Sequence, residues 1–239
     1  MKQILIAALL MITAFCSRAQ TPMIKHYWLN ERKLPVKIND VAQDSLGYLW
    51  LATNEGLYRY NGLDFVKIGG DKKQKATAVI YVGGKLVVGL EGGALVYVSG
   101  LKLLPYKPSG YNGTYDVINF NKKNKEEFWA CTEAGVWAIT NDKAKHLSTS
   151  SGLSDPYCYD ADFTKDKAII ASDKGLSILS PQVSNAATQN VIVTDGLSDN
   201  IVRAISINGN KIFIGTQTGG IQLYDLAKKQ FNKHSNLVT

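Results

Sequence analysis

Cysteine is scarce, with three residues in 239, so no disulfide-built scaffold is available. Histidine is equally rare. His26, His146 and His234 lie far apart, none two or four residues from another, so no histidine pair offers metal-ligand spacing. No strand–Ser–Gly elbow or other nucleophile motif occurs, and Gly83-Gly84 and Gly219-Gly220 precede no helix that could cradle a phosphate. Beyond Gln20 there is no long apolar run and no stretch of helical period. These gaps argue against a metal centre, a cofactor site or a catalytic constellation in this segment, and lone histidines on outer strands are expected to be satisfied surface residues.

What is present begins with an export signal. Lys2 precedes Ile4 to Phe15, in which only Thr13 is polar, and Ser17-Arg18-Ala19 places small residues at the cleavage positions. Residues 1–19 are therefore expected to be a signal peptide, and the rest to be periplasmic or secreted. The run is shorter than the roughly 20 residues a spanning helix needs. Cys16 could be a lipidation site, but Phe15 before it is the wrong size for that processing. Losing Lys2 and Arg18 lowers the net charge from +7 to +5. The excess sits in turns such as 71–75 and 121–125, with no basic stripe interleaved with aromatics that would suit nucleic acid. An oxidising compartment permits a bridge between Cys131 and Cys158, although both fall in predicted strands of neighbouring repeats, where a free buried cysteine is common.

One pattern recurs through the remainder: four or five apolar residues, Thr or a substitute, two residues, then Gly. The marker glycines are Gly56, Gly93, Gly135, Gly175 and Gly219, spaced 37, 42, 40 and 44 residues apart. Each copy has a β-rich run upstream, a Gly, Asn or Asp turn before the apolar stretch, and two further short runs downstream. Four short antiparallel strands about every 40 residues predict an all-β propeller of four-stranded blades. Five blades are present, at about 38–68, 75–106, 115–147, 157–194 and 201–234, within a propeller region of residues 20–239. The strands are apolar on both faces, as in Leu86-Val87-Val88, because each blade packs on two neighbours. The first strand of each blade should line the channel, Trp50 and Trp129 should pack between blades, and the marker glycine should occupy the turn between second and third strands.

The stretch from Ile38 to Gly62 carries Asp44-x-x-Gly47, Trp50, Thr53-x-x-Gly56-Leu57 and a closing Asn61-Gly62. It resembles the two-component regulator propeller repeat, with Asn61 in place of the usual Asp. Gly152-Leu153-Ser154-Asp155 and Gly196-Leu197-Ser198-Asp199 match the family's inter-blade linkers, while the second and fourth blades lack the Trp. The resemblance implies a non-catalytic periplasmic sensor region of a membrane-anchored regulator, in which seven-bladed propellers precede a β-sandwich, a membrane span and a kinase or DNA-binding output. It further implies an oligosaccharide ligand, membrane association only through downstream regions, and a full-length protein able to dimerise. Residues 234–239 occupy the place of another linker, so the chain is expected to be a fragment, with 23–29 as a closing strand.

The residue after each Thr-type position is Asn54, Glu91, Glu133, Asp173 or Gln217, and every one carries an oxygen acceptor. Two readings stand: a ring of acceptors facing one channel mouth, suited to sugar hydroxyls or a cation, or Asn and Asp stabilising turns with Glu and Gln merely solvated. Tyr48, Tyr157 and Tyr159 are expected to serve inter-blade packing, the alternative being an aromatic at the mouth that stacks a sugar ring. A secreted polysaccharide lyase or hydrolase, or an envelope interaction platform, are the alternatives to a sensor.

Overall fold

The computed structural model describes residues 27–29, 35–70, 73–180 and 189–232. The signal sequence expected at residues 1–19, His26 and residues 233–239, His234 among them, lie outside that set. Of the closing strand expected at 23–29, residues 27–29 form no strand and the rest lies outside the described residues.

From Val36 onward the chain is five four-stranded antiparallel sheets, each a simple meander. Blade 1 comprises β1 (Ile38–Gln43), β2 (Leu49–Thr53), β3 (Gly56–Tyr60) and β4 (Phe65–Ile68). Blade 2 comprises β5 (Ala76–Val82), β6 (Lys85–Leu90), β7 (Leu95–Ser99) and β8 (Lys102–Pro105). Blade 3 has β9 (Val117–Lys122), β10 (Glu127–Thr132), β11 (Gly135–Thr140) and β12 (Lys143–Leu147). Blade 4 has β13 (Cys158–Phe163), β14 (Ala168–Ser172), β15 (Gly175–Leu179) and β16 (Gln189–Val191). Blade 5 has β17 (Val202–Asn208), β18 (Lys211–Thr216), β19 (Ile221–Asp225) and β20 (Gln230–Phe231). The first strands neighbour one another in chain order, from β1 through β5, β9 and β13 to β17. This is a β-propeller array.

The recurring residues have definite physical work. In blades 1, 3 and 4 the buried hydroxyls of Thr53, Thr132 and Ser172 donate to the carbonyls of Gly56, Gly135 and Gly175, at 2.7, 2.8 and 3.1 Å. The same oxygens accept the N–H groups of Glu55, Ala134 and Lys174, closing the two-residue turn. In blade 1 the Asp44 carboxylate binds the N–H groups of Leu46 and Tyr48 and the Trp50 indole N–H, which links the turn motif to the tryptophan. Trp129 packs edge-on against Phe163 of the next blade, at 5.1 Å between ring centroids.

Gly135 and Gly175 also donate their N–H groups to Pro156 and Asn200, each at 2.6 Å, across the junction to the next blade. Both have positive φ, and an added Cβ would meet the carbonyl oxygens of Leu147 and Val191 at 2.2 and 2.1 Å. The fifth copy departs from expectation. Its turn is longer, Gly220 takes the positive φ, and Gly219 is needed instead for space, because a Cβ there would meet Ser198 Oγ at 2.1 Å.

Blades are further joined by carboxylates on the inner strands. Asp40 accepts the N–H of Val79 at 2.8 Å, and Asp162 accepts that of Ile207 at 2.7 Å. Asp160 does more: one oxygen accepts Ile205 N–H of blade 5 at 2.8 Å, the other accepts the Asn119 and Asn121 amides of blade 3 at 2.9 and 2.6 Å. Burial raises the Asp160 carboxyl above the ordinary carboxylate range, although the hydrogen bonds from Ile205 and Asn121 oppose the shift. Cys131 and Cys158 are both free and buried. The Cys131 Sγ lies 3.4 Å from the side-chain oxygen of Asn121, the Cys158 Sγ 3.6 Å from the carbonyl of Asp155, and burial pushes the Cys158 thiol up to about 12.

Two stability outcomes follow from this geometry. Gly135→Ala should cost at least about 2 kcal/mol more than Gly62→Ala in urea unfolding, because both positions have positive φ but only Gly135 meets a backbone oxygen. Gly110 is no suitable control, since its Cβ would lie 2.8 Å from the Ala144 carbonyl. Asp160→Asn should cost about 2–3 kcal/mol, because the new amide would point donors at donors. An unchanged unfolding midpoint in that variant would remove Asp160 from its bridging role.

Candidate functional site

Turns between second and third strands, together with the linkers between blades, emerge at one end of the inner strands, termed the mouth. Each inner strand carries a β-bulge at its second residue, where the register with its partner slips. The bulged residues are Asn39, Thr77, Ile118, Tyr159 and Arg203. A bulge re-aims the side chain it carries, so every blade contributes one residue set apart from the regular alternation of its strand.

The acceptor residues stand beside these bulges. The backbone N–H groups of Asn54, Glu91, Asp173 and Gln217 donate to the carbonyls of Lys37, Lys75, Tyr157 and Ile201, the residues that lead into the inner strands. Their side chains do not cap their own turns, which the hydroxyls of Thr53, Ser172 and Thr216 close in blades 1, 4 and 5 and backbone bonds between Leu90 and both Gly93 and Ala94 close in blade 2. Instead Asn54 Oδ1 accepts Lys37 N–H at 3.0 Å, and Glu91 lies 3.5 Å from Lys75 Nζ. Lys75 also binds Asp116 at 2.8 Å. Burial opposes the Asp116 charge, but the Lys75 ammonium and the Gly92 N–H outweigh it and hold the carboxyl below its ordinary range.

Over blades 3 to 5 the remaining three acceptors form one connected cluster. Glu133 accepts the Tyr157 hydroxyl at 3.0 Å, and Asp173 accepts the Tyr159 hydroxyl at 2.8 Å. The two tyrosine rings lie 4.9 Å apart, and the Arg203 guanidinium sits 4.1 Å above the Tyr159 ring while donating to Gln217 Oε1. Glu133, Gln217 and Arg203 are exposed, and Asp173 and both tyrosines are half-buried. The arrangement offers an aromatic surface edged by two carboxylates, an amide and one guanidinium. Asn54 and Glu91 lie over blades 1 and 2 and do not join it.

Tyr157 and Tyr159 stand beside the acceptor turns and also bridge blades, Tyr157 through Glu133 of blade 3 and Tyr159 through Arg203 of blade 5. The missed signal was the bulge: a register slip between paired strands leaves no mark in residue composition. Arg203 was visible as one of few arginines, yet nothing in the sequence placed it over a ring. His146 stacks on Trp137 at 4.4 Å, with its Nε2 2.7 Å from the Ala134 carbonyl, on the outer strand of blade 3. Among the described residues no group of three His, Cys, Asp or Glu side chains could hold a metal ion.

No family model matches the sequence, and no curated protein does. Solved structures do. The extracellular domain of the hybrid two component system BT3049 from B. thetaiotaomicron superposes with a TM-score of 0.64 at 21% identity, covering 82% of this chain and 29% of that one. The extracellular domain of the hybrid two component system BT4673 from the same organism gives 0.68 at 17% identity, covering 87% and 28%. YCF48 bound to D1 peptide gives 0.61 at 14% identity, covering 85% and 69%. At these identities the likeness establishes the propeller fold. The chain spans under a third of the length of the two extracellular domains.

Desolvation first, and the bond to Asp173 second, push the Tyr159 phenol up from 10.0 to about 12. A phenol raised in the folded state contributes stability in full below pH 10, and that contribution is lost as the pH climbs toward about 12. Phenolate absorbance should therefore lose a component titrating near pH 12 in Tyr159→Phe. A Tyr159→Phe titration curve identical in shape to the parent would show that burial and the Asp173 bond do not raise this phenol.

Proposed function

We propose that this chain is the ligand-sensing propeller region of a periplasmic two-component-type regulator, and that it binds a neutral oligosaccharide without catalysing its turnover. One observation carries the reading: Glu133, Tyr157, Tyr159, Asp173, Arg203 and Gln217 form a single polar and aromatic surface at one mouth. A sugar ring presents an apolar C–H face that stacks on an aromatic ring and hydroxyls that donate to carboxylates. Two carboxylates against one guanidinium leave the cluster net negative, which disfavours anionic glycans.

The repeat motifs, the export signal and the fold shared with extracellular domains of such regulators support the sensor reading. Exposed Ile38, Val41 and Leu49 on blade 1, and Phe213 and Ile221 on blade 5, are what flanks awaiting further blades would show, in keeping with a seven-bladed ring.

Calorimetric titration against a panel of neutral and acidic oligosaccharides tests the site. A neutral binder should weaken about tenfold or more in Tyr159→Ala and in Glu133→Gln/Asp173→Asn. Asn54→Ala, outside the cluster, should leave it unchanged. Binding indifferent to the first two variants would move the site elsewhere.

A further inference from the structure

The end of the sheets opposite the mouth has a different chemistry. There the hairpins joining first to second strands and third to outer strands emerge together, and contacts run from blade to blade. Ser45 Oγ meets Tyr81 Oη at 2.8 Å, and Lys85 of blade 2 reaches Asp142 of blade 3 at 3.6 Å. At this end lysines outnumber carboxylates, whereas at the mouth end carboxylates outnumber lysines. Exposed Lys102, Lys125, Lys143, Lys165 and Lys211 carry no ion pair among the described residues. A crevice of about 200 Å³ opens beside Lys125 between blades 2 and 3, lined also by Lys85, Tyr106, Glu126, Phe128 and Asp142.

The same hairpins carry bare leucines. Leu46 lies in the first hairpin of blade 1, Leu63 in its second, and Leu101 in the second hairpin of blade 2, at 79, 85 and 57% exposure. The hairpin of blade 2 already meets blade 1, where the Gly69 N–H donates to the Leu101 carbonyl at 3.0 Å, and Leu101 is still 57% exposed, so a blade preceding blade 1 would leave the equivalent Leu63 largely bare. Isolated exposed leucines are ordinary, but three at hairpin tips on the lysine-rich end are a combination with a purpose.

We propose that this hairpin end is a peripheral membrane-docking face that rests on an anionic phospholipid surface. Lysines there meet headgroup phosphates, and Leu46, Leu63 and Leu101 enter the interface between headgroups and acyl chains. Charge alone would equally suit a soluble polyanion; the leucines favour the bilayer, because a polyanion offers them nothing apolar. The contact is peripheral, adds to any spanning segment elsewhere, and leaves the opposite mouth open to solvent.

Co-sedimentation of the full chain with phosphatidylglycerol/phosphatidylcholine vesicles, against pure phosphatidylcholine vesicles, tests the face. The Ile4 to Phe15 stretch is flanked by Lys2 and Arg18, so every protein in the comparison carries Lys2→Gln/Arg18→Gln, and the readout is the remaining preference for the anionic vesicles. That preference should reach about tenfold at low salt, fall with added salt, and disappear in Lys102→Glu/Lys125→Glu/Lys165→Glu. Leu46→Ser/Leu63→Ser/Leu101→Ser, which keeps every charge, should weaken binding to anionic vesicles several-fold, with an unchanged melting temperature. No anionic preference overturns the proposal. Lysine-dependent binding that the leucine variant leaves intact, together with equal capture by dextran sulfate, overturns it in favour of a soluble polyanion. Oligosaccharide binding at the mouth is scored separately and is unaffected by either result.

Discussion

The Asp160 carboxylate is the constraint on which the arrangement of blades 3, 4 and 5 turns. It sits on the inner strand of blade 4, takes two amides from blade 3, and caps a backbone N–H of blade 5. A buried charge is tolerated only when its lone pairs are filled, and here four donors do so, counting Ala161 N–H. Apolar packing between blades is strong but adapts to small slides. A carboxylate with fixed donors on three sheets does not, so it sets the register of inner strands that share no ladder hydrogen bonds.

That register is what assembles the mouth cluster. Tyr159 is the neighbour of Asp160, so the residue that locks the blades and the residue that offers a ring are adjacent on β13. Gly135 and Gly175 contribute in the same direction. Their N–H groups hold the carbonyls of Pro156 and Asn200, and the next residues, Tyr157 and Ile201, are those that receive Asp173 and Gln217. A linker displaced by one ångström would separate Glu133 from the Tyr157 hydroxyl.

Much of this was legible in the sequence because it repeats. The marker glycines and the Thr- or Ser-x-x-Gly turn recur for local reasons of backbone geometry, and the five blades were readable from them. The acceptor positions were equally legible, since they follow the Thr at a fixed offset. Which acceptors would cooperate was not legible. Glu133 meets Tyr157 across 24 residues and Asn121 meets Asp160 across 39, and nothing local announces either pair. The lengthened fifth turn was hidden because Gly219 and Gly220 are adjacent and identical, and only φ tells them apart.

The division between what repeats and what does not separates fold from site. The five bulged positions are structurally equivalent, so the fold makes the same demand of each, yet they hold Asn39, Thr77, Ile118, Tyr159 and Arg203. Asn39 is spent within the scaffold, donating to the Ala76 carbonyl at 2.7 Å. Thr77 is buried with its hydroxyl unpartnered, and Ile118 has no polar atom to offer in its side chain. Only the bulges of blades 4 and 5 present an aromatic ring and a guanidinium. Packing does not require those residue types, because three other blades close the same bulge without them. Their chemistry is therefore free to answer to something outside the fold, and the neighbouring carboxylates Glu133 and Asp173 give that chemistry a direction.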